Sequence, residues 1–317
     1  MLISILIPAY ARPAQLGEAL ASIAQQDLSL IGEILIGDDS PSSYWDENRA
    51  VIAASGLASL IRYMPSEPSR GTYPNQWFLA KTAKFEHLLF LHNDDQLCRG
   101  ALTLLVDACE QETDPRVRLW FGTQWIFDEA GVIDSERSSK SDRHYGRDGP
   151  PATKPVWEWC LTESIPSNSF LVEKQTYLTN MQGPRDGNVG DWAFGVRLAN
   201  SGGWAHFIGE KVSLYRVQAG SVTVAGRGVD VHRAFEAMEA LQVPPEREEE
   251  KRERFESFAL VAAVRYARDG ERFNAWKAWR SSLLSRRRRL SIRSLVVLVM
   301  LLTPSPIWRW ALQYKNR

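Results

Sequence analysis

Apolar runs that stop abruptly at polar residues recur through the first hundred residues of the chain. Three of these runs end just before Pro8, Asp38 and His92, and the segments between them carry apolar residues at every third or fourth position. A short continuous apolar run is typical of a strand buried on both faces, and the helical spacing between runs predicts crossover helices. The pattern therefore predicts an α/β fold around a mostly parallel central sheet with right-handed connections.

The predicted elements alternate regularly at first and less regularly beyond residue 111. Strands are predicted at 2–7, 31–37, 60–64, from 88 onward, 118–127, 204–207 and 211–215, with an edge strand within 165–172. Helices are predicted at 13–26, 45–54, from the loop 68–75 to about 84, at 99–111 and from 191 to 200. Residues 128–151 and 183–190 are polar and Gly-rich and are predicted to be loops, the first of them mobile. We expect one domain over 1–228, with a nucleotide-binding half to residue 100 and an acceptor half after it, and a helical region over 229–317.

Composition narrows the class of protein. The 317 residues include 38 basic and 38 acidic side chains, and this zero net charge argues against a general nucleic-acid binder. Three cysteines without pair spacing fit a reducing compartment, so we expect a cytoplasmic protein. The first apolar run lacks a preceding basic region and stops at Pro8, unlike a signal peptide. No apolar run reaches the roughly 18 residues that a membrane-spanning helix needs.

Pairs of acids follow two of the predicted strands, at Asp38-Asp39 and Asp94-Asp95. Ligand sites of parallel α/β sheets lie beyond the carboxyl ends of the strands, so these acids are predicted to share one edge. Two carboxylates on a short turn offer the oxygen ligands that a hard divalent cation prefers, and such a cation can bridge to nucleotide phosphates. The alternative for either pair is an acidic turn with no ligand.

Four ordered motifs resemble those of the family 2 glycosyltransferases, inverting enzymes of the GT-A fold that use nucleotide-diphosphate sugars. The motifs are the opening strand and loop at 5–13, the acidic second-strand end at 33–40, the segment Phe90-Leu91-His92-Asn93-Asp94-Asp95, and Gly190-Asp191-Trp192 with Arg197-Leu198-Ala199. The resemblance spans about residues 2 to 223. Each motif alone is weakly specific, and their order and spacing carry the resemblance.

The resemblance implies a donor site and a metal site. Asp39 and Tyr10 would hold the nucleotide base, because a base needs an acceptor for its ring N–H and a flat face to pack on. Asp94 and Asp95 would hold Mg²⁺ or Mn²⁺ against the diphosphate, with Asp95 as the direct ligand. Arg70 would add fixed charge near the phosphates, although an exposed arginine without a specific role fits equally. The residues assigned to the donor are Pro8, Tyr10, Arg12, Asp39, Arg70 and Asp94.

The resemblance also implies that Asp191 is the general base. Inversion requires the acceptor hydroxyl to attack from the face opposite the leaving group, so a base must lie across the sugar from the metal. Asp191 also suits the N-cap of the predicted helix, a role that needs no catalysis.

The chain departs from the family pattern at two positions. His92 stands where relatives often carry an acid, and we expect it to be a hydrogen-bonding residue at the strand end. Gln218 stands near the position where relatives often have a histidine, and a glutamine there puts the strength of metal binding in doubt.

The tail combines a basic cluster at 286–289, an apolar run at 295–302 and three aromatic residues, Trp308, Trp310 and Tyr314. The segment 286–314 fits an anionic membrane surface, which would suit a lipid-linked acceptor. It equally fits a helix packed on the protein or in a dimer.

The sequence therefore predicts an inverting glycosyltransferase, peripheral to the membrane if the tail binds lipid. A nucleotide sugar, with a UDP-sugar favoured, would be the donor, and a saccharide or lipid-linked saccharide of a surface or exported polysaccharide would be the acceptor. A non-catalytic scaffold that binds nucleotide or saccharide is the alternative. No glycine-rich phosphate loop follows the first strand, which disfavours a nucleotidyltransferase or a dinucleotide oxidoreductase.

Overall fold

A computed structural model describes residues 1–162, 165–182, 189–218 and 231–303. The chain divides into two compact units, Met1–Ala225 and Gly226–Arg317. Most of the Gly-rich loop predicted at 183–190 and the aromatic residues Trp308, Trp310 and Tyr314 lie outside the described residues.

The first unit is built on one mixed sheet. Its strands are β1 Ile3–Ala9, β2 Ile31–Asp38, β3 Ile61–Pro65, β4 His87–Phe90, β5 Gln96–Leu97, β6 Val117–Phe127, β7 Ala152–Pro155, β8 Phe170–Glu173 and β9 Trp204–Arg216. Within the described residues they are ordered β3-β2-β1-β4-β8-β6-β9-β5, and β7 pairs with β9. The predicted α/β class is confirmed, and the sheet is parallel in its first half and mixed in its second.

The parallel half follows the predicted alternation. β1 lies between β2 and β4, β2 also pairs with β3, and all three pairings are parallel. The apolar runs supply side chains that are fully buried, among them Ile5, Ile7, Ile34, Ile36 and Leu89. Because parallel strands end at the same edge, Ala9 lies in register with Asp38 and the polar residues after the strands gather there.

Helices flank this sheet. They are α1 Pro13–Ala24, α2 Trp45–Ala54, α3 Thr72–Thr82, α4 Ala101–Gln111, α5 Ser135–His144, α6 Val156–Leu161, α7 Lys174–Asn180 and α8 Gly190–Asn200. Pro13 opens α1, where its missing N–H costs no hydrogen bond, and Leu16, Leu20 and Ile23 face the core at helical spacing.

The strand predicted as an edge strand is central. β8 begins only at Phe170 and pairs antiparallel with β4 on one side and β6 on the other. The first part of the predicted segment lies in the loop before the strand, where Asn168 and Ser169 are held by side-chain hydrogen bonds.

Two other predictions for the second half were wrong. The loop predicted at 128–151 contains α5, whose first turn is capped by the Asp134 side chain through the Arg137 N–H at 2.8 Å. The two short strands predicted at 204–207 and 211–215 are one strand, β9, which passes through Gly209 at a φ of +75°. Glycine adopts that conformation without strain, so the strand continues through the irregularity. In the sequence, the same position was interpreted as the end of one strand and the start of another.

The second unit is helical in its described part. Its helices are α9 Val231–Ala240, α10 Glu248–Asp269, α11 Arg272–Arg280, α12 Arg286–Arg289 and α13 Ile292–Leu302. α10 packs against α9, α11 and α13. Among the described residues, no helix has the length and apolar character needed to cross a membrane.

Candidate functional site

The loop after β1 is fixed to the end of β2. Pro8 is buried in register with Gly37, and the Ala11 N–H donates to Ser40 Oγ at 2.7 Å. Ala11 has a φ of +48°, a strained conformation for a residue with a Cβ, of the kind that clusters at functional sites. Tyr10 is 56% exposed, so its ring is open to a ligand at the sheet edge.

The two acids after β2 have different surroundings. Asp38 is fully buried and accepts from the Ser40 N–H at 2.9 Å and Asn48 Nδ2 at 2.7 Å, as well as from the Tyr63 hydroxyl. The hydrogen bond from the Ser40 N–H to Asp38 closes a turn. An acidic turn without a ligand was the alternative considered for the pair Asp38-Asp39. Asp38 is thus saturated by the protein and fixes the shape of the turn.

Asp39 instead holds the loop that precedes α3. Its Oδ2 accepts from the Gly71 N–H at 2.8 Å and its Oδ1 from Arg70 at 3.1 Å. Burial raises the pKa of Asp39, although the Gly71 N–H and the Arg70 charge oppose that shift. Arg70 also lies over the Phe78 ring at 4.1 Å, so the structure sets this arginine beside Asp39.

The turn after β4 forms an acidic cluster. His92, Asp94 and Asp95 can each offer a ligand atom, and these atoms lie within 4.8 Å of one another. Asp94 is partly exposed and its Oδ2 contacts Arg12 Nη1 and, at 3.3 Å, Gln218 Nε2. The loops after β1 and β9 therefore both reach Asp94, and the two predicted residues Arg12 and Asp94 form an ion pair.

Asp95 is the more enclosed of the two acids, with 1% exposure. Its Oδ1 accepts from the Arg216 N–H at 2.8 Å and its Oδ2 from Asn168 Nδ2. Burial and the Asp94 charge raise the pKa of Asp95 well above its usual range. The two carboxylates are a fitting donor set for Mg²⁺ or Mn²⁺, since among the described residues each Asp95 oxygen has one hydrogen-bond donor and can accept again.

His92 is oriented by a buried chain of polar side chains. Tyr177 donates to Gln76 Oε1 at 3.1 Å, which turns the Gln76 amide nitrogen toward His92 Nε2, also at 3.1 Å. Nε2 therefore accepts, and the ring carries its proton on Nδ1, 3.9 Å from Asp95 Oδ2. Burial lowers the pKa of His92, which keeps this ring neutral. The geometry agrees with a hydrogen-bonding role for His92.

Asp191 lies one residue inside α8, whose N-cap is Val189. Asp191 is therefore not the N-cap of this helix, the alternative role considered for it from the sequence. Its Oδ1 accepts from the Trp192 N–H at 2.9 Å, and its carboxylate also bonds to the Tyr73 side chain. Burial raises the pKa of Asp191 despite these hydrogen bonds. A raised pKa makes a carboxylate a stronger base.

Close packing fixes Tyr73 against the start of α8. A Cβ at Gly190 would lie 2.4 Å from Cγ of the Tyr73 ring, so only glycine permits this approach. Tyr73 is 7% exposed and its hydroxyl reaches the carboxylate beside Gly190.

The first turns of α3 and the residue before them thus contact Asp39, Asp191 and His92. Gly71, just before the helix, donates to Asp39; Tyr73 bonds to Asp191; and Gln76 bonds to His92 beside the acidic cluster. Sequence reasoning identified Arg70 in this region but not Tyr73 or Gln76. Their partners, Asp191 and His92, are distant in the chain, and no neighbouring residue indicates these contacts. Asn168, which holds Asp95 across 73 residues, was missed for the same reason.

Removing the Asn168 amide is expected to destabilise the fold. Asn168 is fully buried, donates to Asp95 and accepts from Gln124 at 2.9 Å, so Asn168→Ala leaves buried polar groups without partners. We expect the free energy of unfolding to fall by about 2 kcal/mol, measured by denaturant titration. The surface substitution Asn274→Ala is the control, and an equal loss there would contradict the role of Asn168.

Matches to known proteins agree with this geometry. Residues 4–118 match the family model described as "Glycosyl transferase family 2". "Uncharacterized protein MT1568" of Mycobacterium tuberculosis (strain CDC 1551 / Oshkosh) is 34% identical over 125 residues, covering 39% of this chain. The match spans only 37% of that relative's length.

Solved structures share the fold over most of the chain. Residues 1–349 of S. aureus TarS in complex with UDP match with a TM-score of 0.63 and 14% identity, covering 98% of this chain and 92% of that one. The same protein in complex with UDP-GlcNAc matches with a TM-score of 0.54 and 12% identity, covering 88% of this chain and 90% of that one.

The curled α/β sheet with acids beyond its parallel strands defines a protein of the GT-A glycosyltransferase fold. Over residues 4–118 the chain is similar to glycosyl transferase family 2. The resemblance and the fold expected from the sequence are thus confirmed.

Proposed function

We propose that the chain is an inverting glycosyltransferase that moves a sugar from a nucleotide-diphosphate donor to a saccharide or lipid-linked saccharide. The observation that carries the proposal is the start of α3, which contacts Asp39, expected to bind the base, and Asp191, expected to take the acceptor proton. It also contacts His92, which lies beside the two acids expected to bind the metal. Such convergence on one helix end is what a transfer reaction requires, because donor and acceptor must meet in fixed geometry. The proposal sets the reaction in the cytoplasm, in the synthesis of a surface or exported polysaccharide.

The donor would lie along the edge formed by the ends of β1 and β2. Asp39 Oδ1 has one donor, Arg70, and keeps a lone pair for the ring N–H of a base. The exposed Tyr10 ring would pack on the base, while buried Pro8 shapes the loop. The complexes of TarS with UDP and UDP-GlcNAc support a UDP-sugar as the donor to test first.

Asp94 and Asp95 would hold a divalent cation, Mg²⁺ or Mn²⁺, at the end of β4. When bound, this cation supplies positive charge to the leaving diphosphate. Arg12, paired with Asp94, and Arg216, whose Nε donates to the Asp94 carbonyl at 2.9 Å, bring fixed positive charge to the same turn. Gln218, near the position where relatives often have a histidine, would hold Asp94 through its side-chain amide.

Asp191 would take the proton of the acceptor hydroxyl. Its Oδ1 is held by the Trp192 N–H, and Tyr73 fixes the carboxylate from α3. A carboxylate with a raised pKa gains driving force for accepting that proton as the bond to the anomeric carbon forms.

Thermal unfolding against a panel of nucleoside diphosphates and nucleotide sugars, with and without Mn²⁺, tests the donor site. A ligand at a hundred times its Kd stabilises the fold by about 2.7 kcal/mol, which gives a measurable rise in Tm. We expect one nucleotide to raise Tm only when Mn²⁺ is present. No response from folded protein would contradict the proposal, and a response without any transfer of sugar would favour the scaffold alternative.

Tyr73→Phe is expected to move the acid limb of the kcat profile to higher pH. The Tyr73 hydroxyl stabilises ionised Asp191, so its loss raises the pKa of that carboxyl further, and the carboxylate is protonated earlier as pH falls. One hydrogen bond to a charged group corresponds to a shift of about one pH unit. The control is Tyr44→Phe, and an unmoved limb in Tyr73→Phe would separate Tyr73 from the base.

A further inference from the structure

The outward face of α13 is apolar along its whole length. The helix buries Ser294, Val297, Met300 and Leu301, and it packs against α10 and α11. Its exposed apolar residues are Ile292 at 82%, Leu295 at 50%, Val296 at 53%, Val299 at 57% and Leu302 at 68%. The exposed face of a helix in water is normally polar, so this face is built for contact with an apolar phase.

The exposed residues form a continuous stripe, because positions 292, 295, 296, 299 and 302 recur every three or four residues. Leu290, just before the helix, is 79% exposed as well. The buried face is fixed independently: Trp279 Nε1 donates to Ser294 Oγ at 2.8 Å. The orientation of α13 therefore follows from its own packing, which leaves the stripe outward.

The surrounding segment is strongly basic. Residues 272–303 contain no aspartate or glutamate, and their basic residues are Arg272, Lys277, Arg280, Arg286, Arg287, Arg288, Arg289 and Arg293. Arg288 pairs with Glu256 at 2.8 Å. Arg286, Arg287 and Arg293 are exposed and have no ion-pair partner within the described part of the chain. Positive charge without counter-charge thus lies next to the stripe.

We propose that the stripe of α13, with Arg286, Arg287 and Arg293, docks on an anionic lipid surface and lies in its plane. The apolar side chains enter the acyl boundary while the arginines meet the phosphates of the headgroups. At 11 residues the helix is too short to span a bilayer. A second copy of this chain suits the surface less, because the segment offers no carboxylate to neutralise the arginines.

Vesicle sedimentation of the full chain tests the proposal. Vesicles of phosphatidylcholine alone are compared with vesicles that also contain phosphatidylglycerol. We expect binding only to the anionic vesicles, weakened by added salt. Arg286→Gln with Arg287→Gln is expected to lower the partition coefficient about 25-fold, since each arginine near the surface contributes about fivefold.

Leu295→Glu with Val299→Glu tests the apolar stripe and should lower binding at least about tenfold, because charges cannot enter the acyl region at low cost. Val261→Glu is the matched control: Val261 is 48% exposed on α10 of the same unit and is expected to leave binding unchanged. Circular dichroism confirms that each variant is folded.

Equal binding to neutral vesicles, or no binding to either kind, would overturn the proposal. If the chain instead self-associates in sedimentation equilibrium and Leu295→Glu with Val299→Glu abolishes this, the occupant is a second copy. The inference does not depend on the donor site, and the nucleotide-dependent rise in Tm is measured on the same variants. Loss of vesicle binding in these variants with that rise retained supports the lipid surface. Absence of vesicle binding by the unaltered chain, with that rise present, rejects only the lipid surface and leaves the donor site untouched.

Discussion

Asp191→Asn is expected to lower kcat by about 10²- to 10⁴-fold while nucleotide binding stays nearly unchanged. Asparagine matches the shape of aspartate, and its side-chain oxygen can still accept from the Trp192 N–H, so α8 should keep its first turn. What the variant loses is the ability to accept a proton. Transfer rates with saturating donor measure kcat, and the Mn²⁺-dependent rise in Tm measures nucleotide binding.

Asp107→Asn is the matched control for this prediction, because Asp107 is an exposed acid on α4. We expect it to change neither transfer nor nucleotide binding. If Asp191→Asn impaired both properties equally, Asp191 would belong to the donor site or to the fold, and the base would have to be sought elsewhere.

Asp95→Ala is expected to have two separable effects. Without ligand, the free energy of unfolding should fall by about 3 kcal/mol, since the buried Arg216 N–H and Asn168 amide lose their acceptor. With ligand, the Mn²⁺-dependent stabilisation by nucleotide, about 2.7 kcal/mol at a hundred times Kd, should disappear. Denaturant titration with and without nucleotide and Mn²⁺ measures both.

Glu33→Ala separates the structural effect from the metal effect. Glu33 is 5% exposed and accepts from Ser4 Oγ at 2.8 Å and Arg62 at 3.2 Å near the start of β1 and β2, away from the acidic edge. Glu33→Ala should lower the free energy of unfolding by a similar amount and keep the Mn²⁺-dependent stabilisation by nucleotide. If nucleotide with Mn²⁺ still stabilised Asp95→Ala, Asp95 would not be a metal ligand, and Asp94 would be the next residue to test.

The parallel half of the sheet was predictable because its information is local. Apolar runs such as 31–37 and helical spacing in α1 each follow from residues close in the chain, and the predicted bounds differ from the structure by a residue or two. The acids after β2 and β4 follow from the same pattern, since parallel strands end at one edge. In the second half, the segment 165–172 was predicted to be an edge strand. That prediction was wrong, because β8 pairs with β4 and β6, which lie far from it in the chain.

The residue pattern was enough to predict the fold class, the resemblance to family 2 glycosyltransferases and the acids that end the strands. The surroundings of those acids are visible only in the folded chain. There Asp38 is saturated by protein donors, Asp39 holds the α3 loop, and Asp95 is enclosed by Asn168 and Arg216. The reason is physical, because burial and hydrogen bonding set the role of a carboxylate, and its partners lie up to 124 residues away in the chain. The same holds for α13, which has apolar residues on all sides. Only its packing in the folded chain shows which of them stay exposed.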